Sequence, residues 1–233
     1  MATYGRQAIS FVRGRGAYLY TADGTEYLDA LTGIAVCGLG HAHPVIAEAI
    51  AEQAATLIHT SNLFEIPWQT AAAQKLAEVS GMEEIFFSNS GAESNEGAIK
   101  IARKFGAQQG IVNPKILVAE QSFHGRTLAT LSATGNKKVQ EGFAPLVQGF
   151  IRVPFGDVEA IQEAAIHHPD IVAILIEPIQ AEGGVNTAPQ GFSYLEEVRA
   201  LCNQHNWLMM LDEIQTGNGR TGKYFAYQHT SIV

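Results

Sequence analysis

The sequence is short of three things: positive charge, cysteine and long apolar runs. It has 15 Lys and Arg against 23 Asp and Glu, with a formal net charge of -8, so it shows no basic footprint for nucleic acid. Its two cysteines lie far apart and outside any C-x-x-C spacing, which favours a reduced chain. No apolar run approaches the ~20 residues of a membrane span, and the N-terminus lacks the apolar core of a secretory signal. These absences predict a soluble, cytoplasmic protein with no membrane partner.

The chain is rich in short apolar segments that alternate with helical patterns. Hydrophobic residues make up 46% of the composition, which is ordinary for a globular protein. Strands are expected at EIFFS, KILVAE, IVAILIE and WLMMLDE, and helices near Ala92, Gly125, Val158 and Gly191. Continuous rather than alternating hydrophobicity is typical of strands that are covered on both faces. The sequence therefore predicts an α/β fold with a mostly parallel sheet.

The N-terminal part has a different pattern. Apolar and polar residues alternate on both sides of Asp23-Gly24, which predicts a β-hairpin. Helices are expected after Pro44 and again from near Pro67 to Ser80-Gly81. We expect residues 1–45 to belong to a smaller lobe and residues 46–233 to form a large domain.

Polar residues gather where the predicted strands end. The four groups are 88–92, 120–126, 177–180 and 212–215. Ligands of parallel sheets collect at the carboxyl ends of the strands, so these groups are expected to form one site.

Ser90 to Glu93 fits the S-x-x-E capping box of a helix N-terminus. As a plain cap it needs no ligand. Alternatively, Gly91 and Ala92 leave the first helical amides accessible to an anion such as a phosphate.

Asp212 follows a strongly apolar strand, so its charge needs a partner. One interpretation is a salt bridge to an Arg or Lys. The other is a carboxylate that holds a protonated heterocyclic nitrogen.

Other motifs do not point to a site. TGNGRTGK, residues 216–223, contains both G-x-G-x-x-G and G-x-x-x-x-G-K. However, Tyr224 follows the lysine where a Walker loop needs Ser or Thr, and the helix and acidic residue ~20 positions on that a dinucleotide fingerprint needs would run past Val233. The pairs His41/His43 and His167/His168 have no further ligand at metal-binding spacing, so no metal is expected.

Six stretches together resemble the class III aminotransferases, fold-type I enzymes that use pyridoxal 5'-phosphate (PLP). They follow the family's order over nearly the whole chain: GIAVCGLGHAHP, HTSNLF, FFSNSGAESNEGAIKIARK, SFHGRT, IEPIQAEGG and LDEIQTGNGRTGK. Within the family, the combination is most similar to the acetylornithine aminotransferases of arginine biosynthesis. The resemblance implies a fold-type I PLP-transferase with a large domain and a small lobe, incomplete at the C-terminus, and a homodimer with HTSNLF at its interface.

The resemblance implies a role for each matching residue in cofactor binding. Gly91 and Ala92 would hold the phosphate, and Phe123 would stack on the pyridine ring. Asp212, the catalytic carboxylate, would pair with the pyridinium nitrogen and so make the ring an electron sink. Gln215 would hydrogen-bond the phenolic oxygen of the ring.

The resemblance also implies the substrate contacts and the reaction. Arg126 would bind a substrate carboxylate as a two-pronged donor, and Glu177 would be the family's gating glutamate. N-acetylornithine would give its amino group to 2-oxoglutarate in a ping-pong reaction. Succinyldiaminopimelate, ornithine and 4-aminobutyrate are alternative amino donors.

The Schiff-base lysine of the family is expected on the order of thirty residues beyond Asp212, but only 21 residues follow it here. Six of the seven lysines present are considered as substitutes, and their positions make them poor ones: Lys100, Lys104, Lys115, Lys137, Lys138 and Lys223. Two hypotheses follow. The chain is the N-terminal portion of a working aminotransferase, or it is a non-catalytic chain, either truncated or a pseudoenzyme, that at most binds cofactor or a partner subunit.

Overall fold

The structure, a computed structural model, describes residue 1 and residues 3–232. The chain divides into two compact units, Met1–Ala71 and Ala72–Val233, and each is described by itself. The expected division between residues 45 and 46 stays a prediction.

The first unit contains a small antiparallel sheet. Strands β1 (Phe11–Arg15), β2 (Tyr18–Thr21) and β3 (Glu26–Leu28) pair in chain order. The turn between β2 and β3 contains Asp23 and Gly24, and the positive φ of 89° at Gly24 suits glycine. The predicted hairpin is therefore confirmed. The helices that follow are α1 (Thr32–Ala35) and α2 (Pro44–Thr56), and α3 (Pro67–Ser80) runs on into the second unit.

The second unit is an α/β domain built on a parallel sheet. Its elements are α4 (Gly91–Gln108), β4 (Lys115–Ala119), α5 (Leu128–Ala133), β5 (Phe150–Val153), α6 (Val158–His167), β6 (Ile171–Ile176), α7 (Ser193–His205) and β7 (Leu208–Leu211). Short 3-10 helices lie at Lys137–Gln140 and Ala226–His229. The strand order is β5-β4-β6-β7, and every neighbouring pair is parallel. The predicted fold class is confirmed.

The core lies on both faces of this sheet. All six residues of β6 are buried. Alternate residues of a strand point to opposite faces, so Ile174 packs on one side with Ile161 of α6 and Val198 of α7. Leu175 packs on the other side with Ile99 of α4. Each such aliphatic side chain contributes roughly 1.5–3 kcal/mol when fully buried, which makes the sheet a rigid base for its loops.

Two predictions about elements need correction. EIFFS (84–88) does not form a strand, so that prediction was wrong; no strand in the described part of the chain pairs with it, and Phe86 is 82% exposed. The helix expected near Gly125 begins only at Leu128, because Gly125 has a φ of 132° that no helix contains. No helix among the described residues is long and apolar enough to cross a membrane.

Candidate active site

The candidate site lies where β4, β6 and β7 end, beside the start of α4. Phe123 and Arg126 lie on the loop after β4, and Glu177 directly follows β6. Asp212 directly follows β7, and Gln215 lies three residues further on. The chain therefore brings together residues of the second unit that are far apart in sequence.

The start of α4 is capped and keeps free amides. The Ser90 hydroxyl accepts a hydrogen bond from the Glu93 amide at 3.3 Å, as the capping box predicts. The Glu93 carboxylate accepts from the Asn89 amide at 2.7 Å. The Gly91 and Ala92 amides belong to the first turn, which has no helical acceptors for them. This end of α4 is therefore a donor site with a partial positive charge.

The loops after β4 and β7 both lie close to the start of α4. A Cβ atom on Gly91 would lie 2.8 Å from the Ile214 side chain, on the loop after β7. A Cβ atom on Gly125, on the loop after β4, would lie 2.9 Å from the Ala92 Cβ atom. Both separations are too short for a side chain, so the two glycines are what allows the loops to approach α4.

Asp212 is held by a buried hydrogen-bond network. Its Oδ2 atom lies 2.9 Å from His124 Nδ1 and accepts from Asn95 Nδ2 at 2.7 Å. Its Oδ1 atom accepts from the Ile214 amide at 3.2 Å. The same Asn95 amide group donates to the His124 carbonyl oxygen at 2.9 Å. Among the described residues, the side-chain partners of Asp212 are thus histidine and asparagine, and not the Arg or Lys that a simple salt bridge would use.

Two buried atoms of the network can each form a further hydrogen bond. His124 Nε2 is buried and has no hydrogen-bond partner among the described residues. A carboxylate oxygen accepts about two hydrogen bonds, so Asp212 Oδ1 retains room for another donor.

Glu177 lies next to this network and has an altered affinity for its proton. Its Oε2 atom accepts from the Phe123 amide at 3.3 Å. Burial, followed by the negative charge of Asp212, raises the pKa of Glu177 from 4.5 to about 8. Glu177 therefore holds a proton at neutral pH.

The remaining predicted residues are placed less tightly. Phe123 is half-buried and Arg126 is exposed, with its guanidinium carbon 6.0 Å from the centre of the Phe123 ring. Gln215 is half-buried. Within the described residues, no hydrogen bond joins Arg126 or Gln215 to Asp212. Sequence reasoning assigned no role to His124 or Asn95, although both lie inside motifs that it singled out.

Fold and site together define a PLP-type aminotransferase domain, and comparison with known proteins agrees. A family model described as "Aminotransferase class-III" matches residues 2–233. The chain belongs to the class III aminotransferase family.

Relatives with assigned names are similar over the whole chain. An acetylornithine aminotransferase of Nitrosomonas europaea is 55% identical over 233 residues, all of this chain and 59% of that protein. Another, of Gloeobacter violaceus, is 51% identical over all of this chain and 57% of that protein. The chain thus spans less than two thirds of the length of these relatives.

Solved structures share the fold. The ornithine aminotransferase of Toxoplasma gondii ME49 has a TM-score of 0.93 at 34% identity, covering 99% of this chain and 55% of that one. The acetylornithine aminotransferase of Elizabethkingia anophelis has a TM-score of 0.85 at 36% identity, covering 99% and 56%. The chain therefore spans only part of the length of these solved proteins as well.

Class III aminotransferases depend on PLP, and the Toxoplasma enzyme has also been described with partial occupancy of PLP at its active site. The residues present fit this group. The free amides at Gly91 and Ala92 suit a phosphate. Asp212 Oδ1 can accept a hydrogen bond from a protonated ring nitrogen. Asp212 is 6% exposed, so an approaching cation would meet its charge with little screening by water.

Proposed function

We propose that this sequence belongs to an enzyme that transfers the amino group of N-acetylornithine to 2-oxoglutarate, as part of arginine biosynthesis. The observation that carries the proposal is the buried, hydrogen-bonded carboxylate of Asp212 beside the open start of α4. The choice of amino donor is supported by relatives of 47–55% identity, which are named acetylornithine aminotransferases. Ornithine is the second candidate donor, because solved ornithine aminotransferases share the fold.

In this proposal the phosphate end of the cofactor binds at Gly91 and Ala92, and the aromatic ring lies against Phe123. Asp212 accepts the hydrogen bond of the ring nitrogen, and Gln215 donates to the phenolic oxygen. When bound, PLP supplies an electron sink that allows a proton to leave the substrate α-carbon. The protein's part is to fix the cofactor and to maintain the charge opposite its nitrogen.

Substrate contacts are proposed for Arg126 and Glu177. Arg126 is exposed, so its planar guanidinium is free to form two parallel hydrogen bonds with a substrate carboxylate. Glu177 carries a proton at neutral pH and accepts from the Phe123 amide. Protonated Glu177 adds no negative charge beside an anionic substrate, which suits a gating position.

We further propose that the natural protein is a cytoplasmic homodimer. The segment HTSNLF, residues 59–64, resembles a family interface, and its Leu63 and Phe64 are 86% and 69% exposed. Exposed apolar side chains of this size are common where a partner binds. Light scattering at micromolar concentration tests this, and an active monomer would contradict it.

A second candidate function applies to the 233-residue chain by itself, namely binding of PLP without turnover. In the described part of the chain, no lysine forms a hydrogen bond with a proposed site residue. Lys115, for example, pairs with Asp170 at 3.0 Å, at the amino end of β4 and so at the opposite end of the strand from the site.

The experiment is a glutamate-formation assay with 2-oxoglutarate and four donors: N-acetylornithine, succinyldiaminopimelate, ornithine and 4-aminobutyrate. It is run on the 233-residue chain and on the natural protein, whose length is determined by mass spectrometry. We expect N-acetylornithine to give the largest kcat/KM with the natural protein. A higher value for any other donor contradicts the substrate assignment. Turnover by the 233-residue chain contradicts the second candidate function.

A further inference from the structure

The two carboxylate oxygens of Asp212 accept different numbers of hydrogen bonds. Oδ2 has two side-chain partners, His124 at 2.9 Å and Asn95 at 2.7 Å, whereas Oδ1 has one backbone partner at 3.2 Å. An oxygen with two close donors has little capacity left, since a carboxylate oxygen accepts about two. The acceptor that Asp212 offers to a ligand is therefore Oδ1.

We propose that His124 and Asn95 are positioning residues for the cofactor, because they orient Asp212 so that Oδ1 accepts the N–H of a protonated pyridine nitrogen. The proposal rests on the proposed function, since it assumes that PLP binds here. Neither residue needs to touch the cofactor. Both act through the Asp212 carboxylate.

Asn95 connects the two ends of the proposed cofactor site. It lies four residues after Gly91 on α4, about 6 Å along the helix axis at 1.5 Å per residue. Its amide nitrogen donates both to Asp212 and to the His124 carbonyl oxygen. One rigid helix thus supplies the phosphate amides and also fixes the carboxylate for the ring nitrogen, which sets the spacing between the two.

His124 is better suited to orienting a carboxylate than to filling space. The residue is 2% exposed, and Nε2 has no hydrogen-bond partner among the described residues. Burying an unpaired polar atom is unfavourable, so an apolar residue would fill this space at lower cost. The side-chain contact that offsets this cost is the one from Nδ1 to Asp212.

The test uses a matched pair of variants in the natural protein, freed of its cofactor: His124→Asn and His124→Leu. Both remove the outer half of the ring, but only asparagine keeps an N–H donor near the position of Nδ1. Each protein is titrated with PLP labelled with ¹⁵N in the ring, and NMR reports whether the bound nitrogen is protonated. For His124→Leu we expect a shift toward the unprotonated signal and a Kd about tenfold higher, ~1.4 kcal/mol. For His124→Asn we expect both values to stay close to wild type.

Two further proteins separate the possible outcomes. Asn95→Leu should shift the nitrogen signal in the same direction, and it serves if His124→Leu does not fold. In an Asp212→Asn background, His124→Leu should leave the signal unchanged, because its effect passes through Asp212. Equal losses of affinity in His124→Asn and His124→Leu with the ring still protonated would overturn the proposal and leave the proposed function intact. A folded natural protein that binds no PLP would refute both the proposal and the proposed function.

Discussion

Replacing Glu177 by glutamine offers a direct test of the electrostatics of the site. Glu177 is 6% exposed and accepts one hydrogen bond, from the Phe123 amide. Glutamine has the same shape and keeps an acceptor oxygen, but it cannot ionise. The substitution therefore removes a titrating group and disturbs packing little.

The size of the effect follows from the pKa of Glu177. Burial and the charge of Asp212 raise it from 4.5 to about 8. At 1.36 kcal/mol per pH unit, this difference is worth roughly 5 kcal/mol. The folded state prefers the protonated carboxyl. The contribution of Glu177 to the free energy of unfolding is therefore fully present below the unfolded pKa of 4.5 and is lost as the pH rises toward 8. At neutral pH roughly 3 kcal/mol of this has been lost.

The assay is urea unfolding of wild type and Glu177→Gln, followed by circular dichroism near pH 5 and near pH 8.5. The stability of the glutamine variant relative to wild type should increase by about 3–4 kcal/mol between pH 5 and pH 8.5. Glu163→Gln is the matched control, because Glu163 is an exposed carboxyl on α6. Its stability should follow that of wild type at both pH values.

Parallel pH profiles for wild type and Glu177→Gln would refute this reasoning. They would mean that water or a cation reaches Glu177 and that its carboxyl titrates normally. A ¹³C NMR titration of the Glu177 carboxyl carbon checks the same point directly. In Asp212→Asn the pKa of Glu177 should fall, because the second cause of its elevation is gone.

Four other predictions concern Arg126, two glycines and the lysines. In the natural protein, Arg126→Lys should raise KM for the amino donor much more than it raises Kd for PLP, since a point charge replaces a planar fork; equal losses would show a structural role. Gly135→Ala should destabilise the fold by about 2 kcal/mol or more, because its Cβ would overlap the Gln121 amide nitrogen and lie 2.6 Å from the Ala119 carbonyl oxygen. Gly97→Ala, in open space within α4, should instead stabilise by about 0.8 kcal/mol in the same urea assay. PLP followed by borohydride should label the lysines of the 233-residue chain weakly and without preference, as peptide mass mapping can show; stoichiometric labelling of one lysine with turnover would contradict this.

The parallel sheet could be predicted because its central strands are continuous apolar runs. The same signal failed twice. Phe150–Val153 was missed, because Arg152 interrupts its apolar run; in the fold the Arg152 guanidinium donates to the Thr134 carbonyl oxygen at 3.2 Å. The EIFFS run was wrongly assigned as a strand, because an apolar run becomes a strand only where another strand pairs with it. Whether a segment finds a neighbouring strand depends on the order of strands in the sheet, which its own local sequence does not encode.

The ends of the site were predictable, whereas its interior was not. A capping pattern marks the start of α4, and Asp212 is conspicuous after an apolar strand. The partners of Asp212 are different, since Asn95 is 117 residues away in sequence and His124 is 88 residues away. Nothing in the residue types alone connects positions so distant. The network could be found only once the strands had brought their carboxyl ends together.

The two buried carboxyls of the site differ in their surroundings, and this difference agrees with the different roles proposed for them. Asp212 accepts from two side chains and one backbone amide, so three donors orient it toward a ligand cation. Glu177 accepts from a single amide, and burial favours its protonated form. Binding of a pyridinium nitrogen at Asp212 would partly neutralise the charge that opposes ionisation of Glu177. Cofactor binding should therefore lower the pKa of Glu177, which would link occupation of the ring site to the protonation of the proposed gating residue.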